Sequence, residues 1–201
     1  TILGAGYGMG AVRFVDQLAS FGFDMDLKEA RRVISVYRDA NWKISQLWRE
    51  GQNMLTEFTR GNKSKFGLDG VLEVVPKQAA VRLPSGLLLR YEDLEFKQNE
   101  QGLQFTYKTR KGPTKIYGGK VVENVCQAIA RCIIAEQMLK IGQQHHIVMT
   151  VHDSIVCCVP ETEVSEAQLS IEKSMRWIPD WATGLPLDCE SGIGNSYGEC
   201  E

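Results

Sequence analysis

The stretch Ile147–Val159, IVMTVHDSIVCCV, constrains the fold more than any other part of the chain. Two apolar runs rich in β-branched residues, Ile147–Val151 and Ile155–Val159, flank the polar triplet His152-Asp153-Ser154. Such runs around a short polar break predict a β-hairpin. With both strands buried, the turn lifts an imidazole and a carboxylate to the edge of a hydrophobic sheet. A carboxylate fixed at such an edge is a candidate ligand for a divalent metal. Taken alone, the same triplet also suits a plain polar tip capped by Asp and Ser.

The 201 residues suffice for one domain with a substantial core, or for one and a half smaller ones. Lys and Arg number 23 against 25 Asp and Glu, for a net charge of −2. This balance excludes a polycation that holds nucleic acid by bulk charge, so any such site must come from local patterning. The six cysteines form no CxxC pair. Adjacent Cys157 and Cys158 point to opposite faces of one strand and cannot jointly hold zinc in the usual way. Reduced, buried thiols of a cytoplasmic protein are expected (host cytoplasm if the source is viral). No apolar run approaches the ~18–20 residues of a membrane span, and no signal peptide opens the chain. Thr1-Ile2-Leu3-Gly4 reads as the interior of an element, which suggests the C-terminal piece of a longer polypeptide.

Glycine-rich Gly4–Gly10, GAGYGMG, matches neither GxxxxGK[ST] nor a strand-first GxGxxG. It reads better as a helix end where small residues let a flat ligand approach Tyr7. A helix follows, with Val12, Val15, Leu18 and Ala19 on one face and Gly22 as its cap. Asp26–Glu29 has the form of a capping box for a helix with Leu27, Ala30, Val33, Ile34 and Tyr37 inward. The next helix carries Ile44, Leu47, Trp48, Leu55 and Phe58 on a core stripe and ends in basic Arg60, Lys63 and Lys65. Between Gly67 and Gly119 the period changes. Alternating stretches around Pro84-Ser85-Gly86 and Asn99–Gly102 predict an antiparallel β-meander, with Lys108, Arg110, Lys111 and Lys115 near its last turn.

Lys120–Ile141 is apolar almost all round, yet Lys120, Asn124, Gln127 and Arg131 recur at i, i+4, i+7 and i+11. Helical geometry puts those four on one stripe. A narrow hydrogen-bonding stripe on a central helix suggests a surface presented to a polar polymer, where Gln127 can meet minor-groove acceptors. The solvent-facing edge of a half-buried helix has the same pattern. Glu163–Trp177 predicts a last helix, Leu185–Glu190 a closing edge strand, and the remainder a loose tail. The fold class is α/β of the α+β kind, an antiparallel sheet with packed helices, divided into a helical region 1–66 and a sheet-bearing region 67–201.

With these pieces placed, the chain resembles the C-terminal part of a family A (polymerase I-like) DNA polymerase of the phage type. Thr1–Gly10 resembles the end of the motif B helix of the fingers, with its Tyr7-Gly8 pair. LPSG at Leu83–Gly86 followed by Tyr91 resembles a palm hairpin segment. YGGKVVENVCQAIAR at Tyr117–Arg131 resembles the helix facing the primer–template minor groove. VHDSI at Val151–Ile155 resembles motif C, and LPLDCE the closing strand.

The resemblance implies fingers over 1–66 and palm over 67–201, and a palm that holds two Mg2+ ions roughly 4 Å apart. It implies that Asp153 is a metal ligand and that His152 contacts the primer terminus. Leu3 would lie against the incoming nucleotide's sugar, and Tyr7 near both templating base and nucleotide. Gly8, Arg13, Lys120, Asn124, Gln127 and Arg131 would contact DNA. The implied partners are primer–template DNA, dNTPs, and an N-terminal segment or polypeptide supplying motif A, the thumb and the triphosphate-binding Arg and Lys. Without motif A the chain alone is expected to be inactive. Ser154 departs from the usual Glu, Leu3 from the usual Phe or Tyr, and Asn124 stands three rather than four residues before Gln127. Two other readings stand beside this one: a non-catalytic nucleic-acid-binding module, and an HD-type metal phosphohydrolase using His145, His146, His152 and Asp153.

Overall fold

The computed structural model describes residues 2–99 and 102–200, with side chains described except at Ile2, Leu3, Asn99 and Leu103. The fold is mixed helix and antiparallel sheet, as the sequence pattern predicts. Two compact units form, Thr1–Gln127 and Ala128–Glu201. The chain passes from helix to strand between Arg60 and Glu73, around the 66/67 boundary read from the sequence, while the compact units divide later, within a long helix.

The first unit opens with four helices: α1 (Ile2–Gly6), α2 (Ala11–Ser20), α3 (Leu27–Ala40) and α4 (Trp42–Arg60). Ala5, Phe14, Ala30 and Ile34 form a buried cluster onto which Met9, Val15, Leu18, Val33 and Tyr37 pack. The inward face of α2 therefore centres on Phe14, and Val12, expected inside, is 63% exposed. On so short a helix one large aromatic decides which stripe faces the core. Asp26 caps α3 by accepting the Glu29 N–H at 2.8 Å. The Glu29 carboxylate does not return the bond; it pairs with Arg32 at 2.6 Å, and Leu27 stays exposed. α4 buries Met54, Leu55 and Phe58 and ends at Gly61, whose φ of 70° is the left-handed cap glycine permits. Full burial of Met54 and Leu55 contributes on the order of 2 kcal/mol each.

The expected single meander is two separate three-stranded antiparallel sheets, β1-β2-β3 and β4-β5-β6. β1 (Glu73–Val75), β2 (Ala80–Arg82) and β3 (Leu88–Arg90) make the first. β4 (Glu95–Asn99), β5 (Gly102–Thr109) and β6 (Gly112–Ile116) make the second. The alternating stretch Leu87–Leu94 breaks where Tyr91 turns inward to 1% exposure and Asp93 adopts φ 48°. Tyr91 meets Tyr107 edge-on at 5.4 Å, and Phe105 and Ile116, paired across β5 and β6, are buried.

Helix α5 (Gly118–Ile141) starts in the first unit and runs into the second. The second unit continues with β7 (His146–Val151), β8 (Ser154–Cys158) and α6 (Val164–Met175). Gln137, buried in α5, donates its amide to the carbonyls of Met175 at 2.5 Å and Trp177 at 3.2 Å, ending α6. Leu185–Glu190 is no strand. Side chains hold it instead: Arg176 donates to Asp188 at 2.7 Å and to the Cys189 carbonyl at 3.0 Å. None of the six cysteines is in a disulfide and only Cys132 is buried, so the buried-thiol expectation holds for that one alone. Among the described residues no helix is long and apolar enough to cross a membrane.

Candidate functional site

The hairpin read from the sequence forms. β7 and β8 pair antiparallel down to Val151 opposite Ser154, leaving a two-residue loop, His152-Asp153. His152 has φ 54°, in the left-handed region. Two-residue hairpin loops usually place glycine at such a first position, and an L side chain there costs about 1–2 kcal/mol. Between Ile147 and Met149 the register shifts, so Val148 is a bulge in β7. Bulges raise local twist and re-aim the residues beyond them.

The strands are not buried as expected. Val148 is 52% and Met149 40% exposed, and the remainder is at best half-buried. Among the described residues the hairpin is a two-stranded sheet with no third strand, so its apolar side chains lack the sheet neighbours that would cover them.

Asp153 is exposed and makes no hydrogen bond or ion pair among the described residues. It is thus an available oxygen ligand of the kind Mg2+ takes. No group of three or more His, Cys, Asp or Glu side chains among the described residues could enclose an ion. Asp153 therefore fits such an ion as one ligand of several. The three histidines lie in a turn, in β7 and in the hairpin loop, not on converging helices. The Nε2 of His145 is buried without a partner, and His152 is exposed. That is a poor donor set for HD-type chemistry.

In the first unit the structure brings together two of the sequence motifs. The Tyr7-Gly8 turn that closes α1 packs on the start of α5. A Cβ on Gly119 would lie 2.7 Å from the Tyr7 carbonyl oxygen, and one on Gly8 3.6 Å from the Tyr117 ring. A Cβ on Gly118 would overlap the Trp48 carbonyl oxygen in α4. The Gly118 N–H donates to Gln52 at 2.9 Å, and the Trp48 indole N–H to the Gly6 carbonyl at 3.1 Å. Tyr7 is half-buried and Arg13, on α2, is exposed without a partner among the described residues. The Leu3 side chain lies outside the described residues.

Along α5, Lys120 is half-buried and grips both Glu123 oxygens at 2.7 Å. Asn124 is half-buried beside the Tyr91 hydroxyl. Burial pushes the Tyr91 phenol well above its ordinary pKa; Asn124 opposes that shift, yet the hydroxyl has no well-formed hydrogen bond. Gln127 is exposed and makes no hydrogen bond among the described residues; so is Arg131, one turn on in the second unit. His152, Asp153 and Arg131 thus belong to the second unit and the other sequence-read site residues to the first. The sequence reading passed over Arg38, Arg49 and Tyr117, which share a cleft with Gly8. The glycine pair after Tyr117 was the signal available for it.

The chain is similar to the DNA polymerase of Bacillus phage SP02. The two are 26% identical over 194 residues, covering 90% of this chain and 29% of the phage protein. The chain therefore spans less than a third of that relative's length. The similarity relates it to a DNA polymerase. No protein-family model matches the chain, and no solved structure does.

Proposed function

We propose that the chain is the C-terminal part of a family A, template-directed DNA polymerase, the end of the fingers followed by the palm. The complete enzyme adds dNTPs to a primer 3′-hydroxyl by two-metal-ion phosphoryl transfer, and this chain carries part of that site. The observation that carries this reading is a partnerless carboxylate, Asp153, on a hairpin tip whose preceding histidine is held left-handed, in a chain aligned over 90% of its length with a phage DNA polymerase. Strain of this kind concentrates at functional sites.

On this reading Asp153 supplies one ligand, and a second carboxylate comes from a segment beyond these residues. Mg2+ held there would supply Lewis-acid stabilisation of the attacking and leaving oxygens. His152 holds the backbone at the primer terminus, and Leu3 and Tyr7 border the incoming nucleotide. Tyr7, Gly8 and Arg13 meet the template. Gln127 donates to minor-groove acceptors that every correct pair presents alike, with Lys120, Asn124 and Arg131 alongside it. That arrangement checks pair geometry without reading sequence.

The test is primer extension with Mg2+ and dNTPs. The chain alone should not extend a primer, and adding the upstream polymerase segment should restore extension. Asp153→Ala in the restored enzyme should then lose on the order of 10³-fold, the several kcal/mol a catalytic metal ligand supplies. Undiminished extension by Asp153→Ala would leave the binding-module reading, for which the exposed, unpartnered Gln127 and Arg131 speak.

A further inference from the structure

The second unit is acidic, with eleven Asp and Glu against four Lys and Arg. Carboxylates are plentiful enough there for every cation to have one. Arg176 holds Glu172 and Asp188, and Arg131 ends the polar stripe of α5. The other two, Lys140 and Lys173, have no acidic partner among the described residues. Acids near them in sequence are committed elsewhere. Glu136, one turn before Lys140, accepts the Trp181 indole N–H at 2.8 Å, and Glu172, beside Lys173, takes Arg176 and Ser191. Both lysines line one cleft of 510 Å3 between the end of α5, the turn after it and one face of α6. The Lys140 ammonium lies over the Trp177 ring at 4.0 Å, and Trp177 follows Lys173 by four residues, where the last turn of α6 closes. The two charges therefore gather at one end. Glu166 stands at the other end, seven residues before Lys173 and about 10 Å away along the helix axis. Leu169, between them, is 71% exposed.

The lining says what fits. Two unneutralised ammonium groups select an anion, and the exposed leucine beside them takes an apolar side chain. Gln143 and Gln144 form the facing wall. The Gln144 amide oxygen accepts the Ser170 hydroxyl at 2.9 Å, and its amino group donates to nothing among the described residues. Such amides suit the N–H and C=O groups of an extended peptide backbone. A nucleic-acid strand carries a phosphate at every residue and would have to lay the others past Glu166 and over an acidic surface. A peptide can confine its acids to the lysine end. Lys140 also follows Arg131 by nine residues, which turns it to the opposite side of α5, away from the stripe assigned above to DNA.

We propose that this cleft docks a short acidic segment of a partner protein, its carboxylates on Lys140 and Lys173 and an apolar side chain on Leu169. The polarity of the cleft sets the direction of the segment, with acids over Trp177 and a neutral or basic residue toward Glu166.

Fluorescence anisotropy on the full chain tests it, with a labelled peptide of four glutamates, a leucine and a neutral serine–glycine tail. The comparison probes are the same peptide with glutamine for glutamate, the same peptide with serine for leucine, and labelled oligo(dT). The parent chain should bind the acidic peptide, and less tightly as salt rises. Lys140→Glu/Lys173→Glu should weaken binding about tenfold, and Leu169→Ser about threefold. Glu166→Gln should tighten it about twofold. All four positions are exposed, so the fold should stand, and primer extension by the completed polymerase should not change. No binding of the acidic peptide, equal binding of the glutamine peptide, or unchanged affinity in the double lysine variant would each overturn the proposal. So would an affinity indifferent both to Leu169 and to the leucine of the peptide. Oligo(dT) bound in the peptide's place, and lost in the same double variant, would replace it with a nucleic-acid site.

Discussion

Gly118→Ala should be among the most damaging single-methyl changes in the first unit. A Cβ there overlaps the Trp48 carbonyl oxygen and lies 2.9 Å from both the Trp48 carbonyl carbon and the Gln52 nitrogen. Ordinary contacts need about 3.5–4.0 Å, so relieving the overlap with the Trp48 oxygen takes a separation of α4 and α5 of about 1.5 Å or more. That displacement stretches the 2.9 Å bond from the Gly118 N–H to Gln52 out of hydrogen-bonding range. Losing the bond costs about 1 kcal/mol, and the forced backbone shift about 1–3 kcal/mol more. Alanine's helix preference returns at most about 1 kcal/mol. The net destabilisation is about 1–4 kcal/mol. Gly51→Ala is the matched control. Its Cβ meets the Gly118 oxygen at 3.1 Å and the Phe66 and Val121 side chains at 3.3 Å, which mid-helix propensity offsets to within about 1 kcal/mol. Urea unfolding followed by tryptophan fluorescence reads both as midpoint shifts at constant slope. A Gly118→Ala midpoint at or above that of Gly51→Ala would refute the reasoning.

His152→Gly removes a left-handed side chain and should stabilise the hairpin by about 0.5–1 kcal/mol, while lowering primer extension in the completed enzyme. A lower melting temperature would contradict the strain assignment. Arg176→Ala should free the segment around Asp188 and Cys189, seen as lost hydrogen-exchange protection. In the parent chain that protection should depend on pH. Bonds from Ser191 and then Arg176 hold the Glu172 carboxyl below its ordinary range, and bonds from Arg176 and then the Cys189 N–H do the same for Asp188. Depressed carboxyl pKa values stabilise above the ordinary carboxylate range of about 4 and are lost as pH falls through the folded values. Protection, corrected for intrinsic rates, should hold from neutral pH to about 5 and vanish in acid; a pH-independent profile would exclude the tie. Thiol alkylation followed by mass spectrometry should modify exposed Cys126 and Cys158 first and buried Cys132 last. Equal rates would contradict the packing of α5.

Helices α3 to α6 and the β7–β8 hairpin were legible because each carries a sustained period or a cap: Asp26 before α3, Gly61 after α4, the polar pair between two β-branched runs. Three-residue strands such as β1 and β3 offer too few alternations to declare a period, so two small sheets read as one meander. The closing segment looked like a strand because its residues alternate, but Arg176 holds it by side chain rather than by a ladder. Apolar composition says that a face wants cover, not that cover is present, which is why the hairpin strands read as more buried than they are. At the tip, residue types announced a turn with a ligand on it. They could not announce the φ of His152, which depends on the loop length set by pairing. Arg38 and Arg49 were invisible as a pair because the turn at Asn41, between α3 and α4, brings them to one cleft.

The bare-backbone seam where the Tyr7 carbonyl meets Gly119 has a mechanical consequence. Side chains can absorb a small displacement by turning about their bonds, whereas main chain in contact with main chain has no such slack. A shift of a few tenths of an ångström in the turn after α1 must therefore pass almost undiminished into the first turn of α5. Whatever the Tyr7 ring senses, Gln127, less than three helical turns further on, is levered along with it.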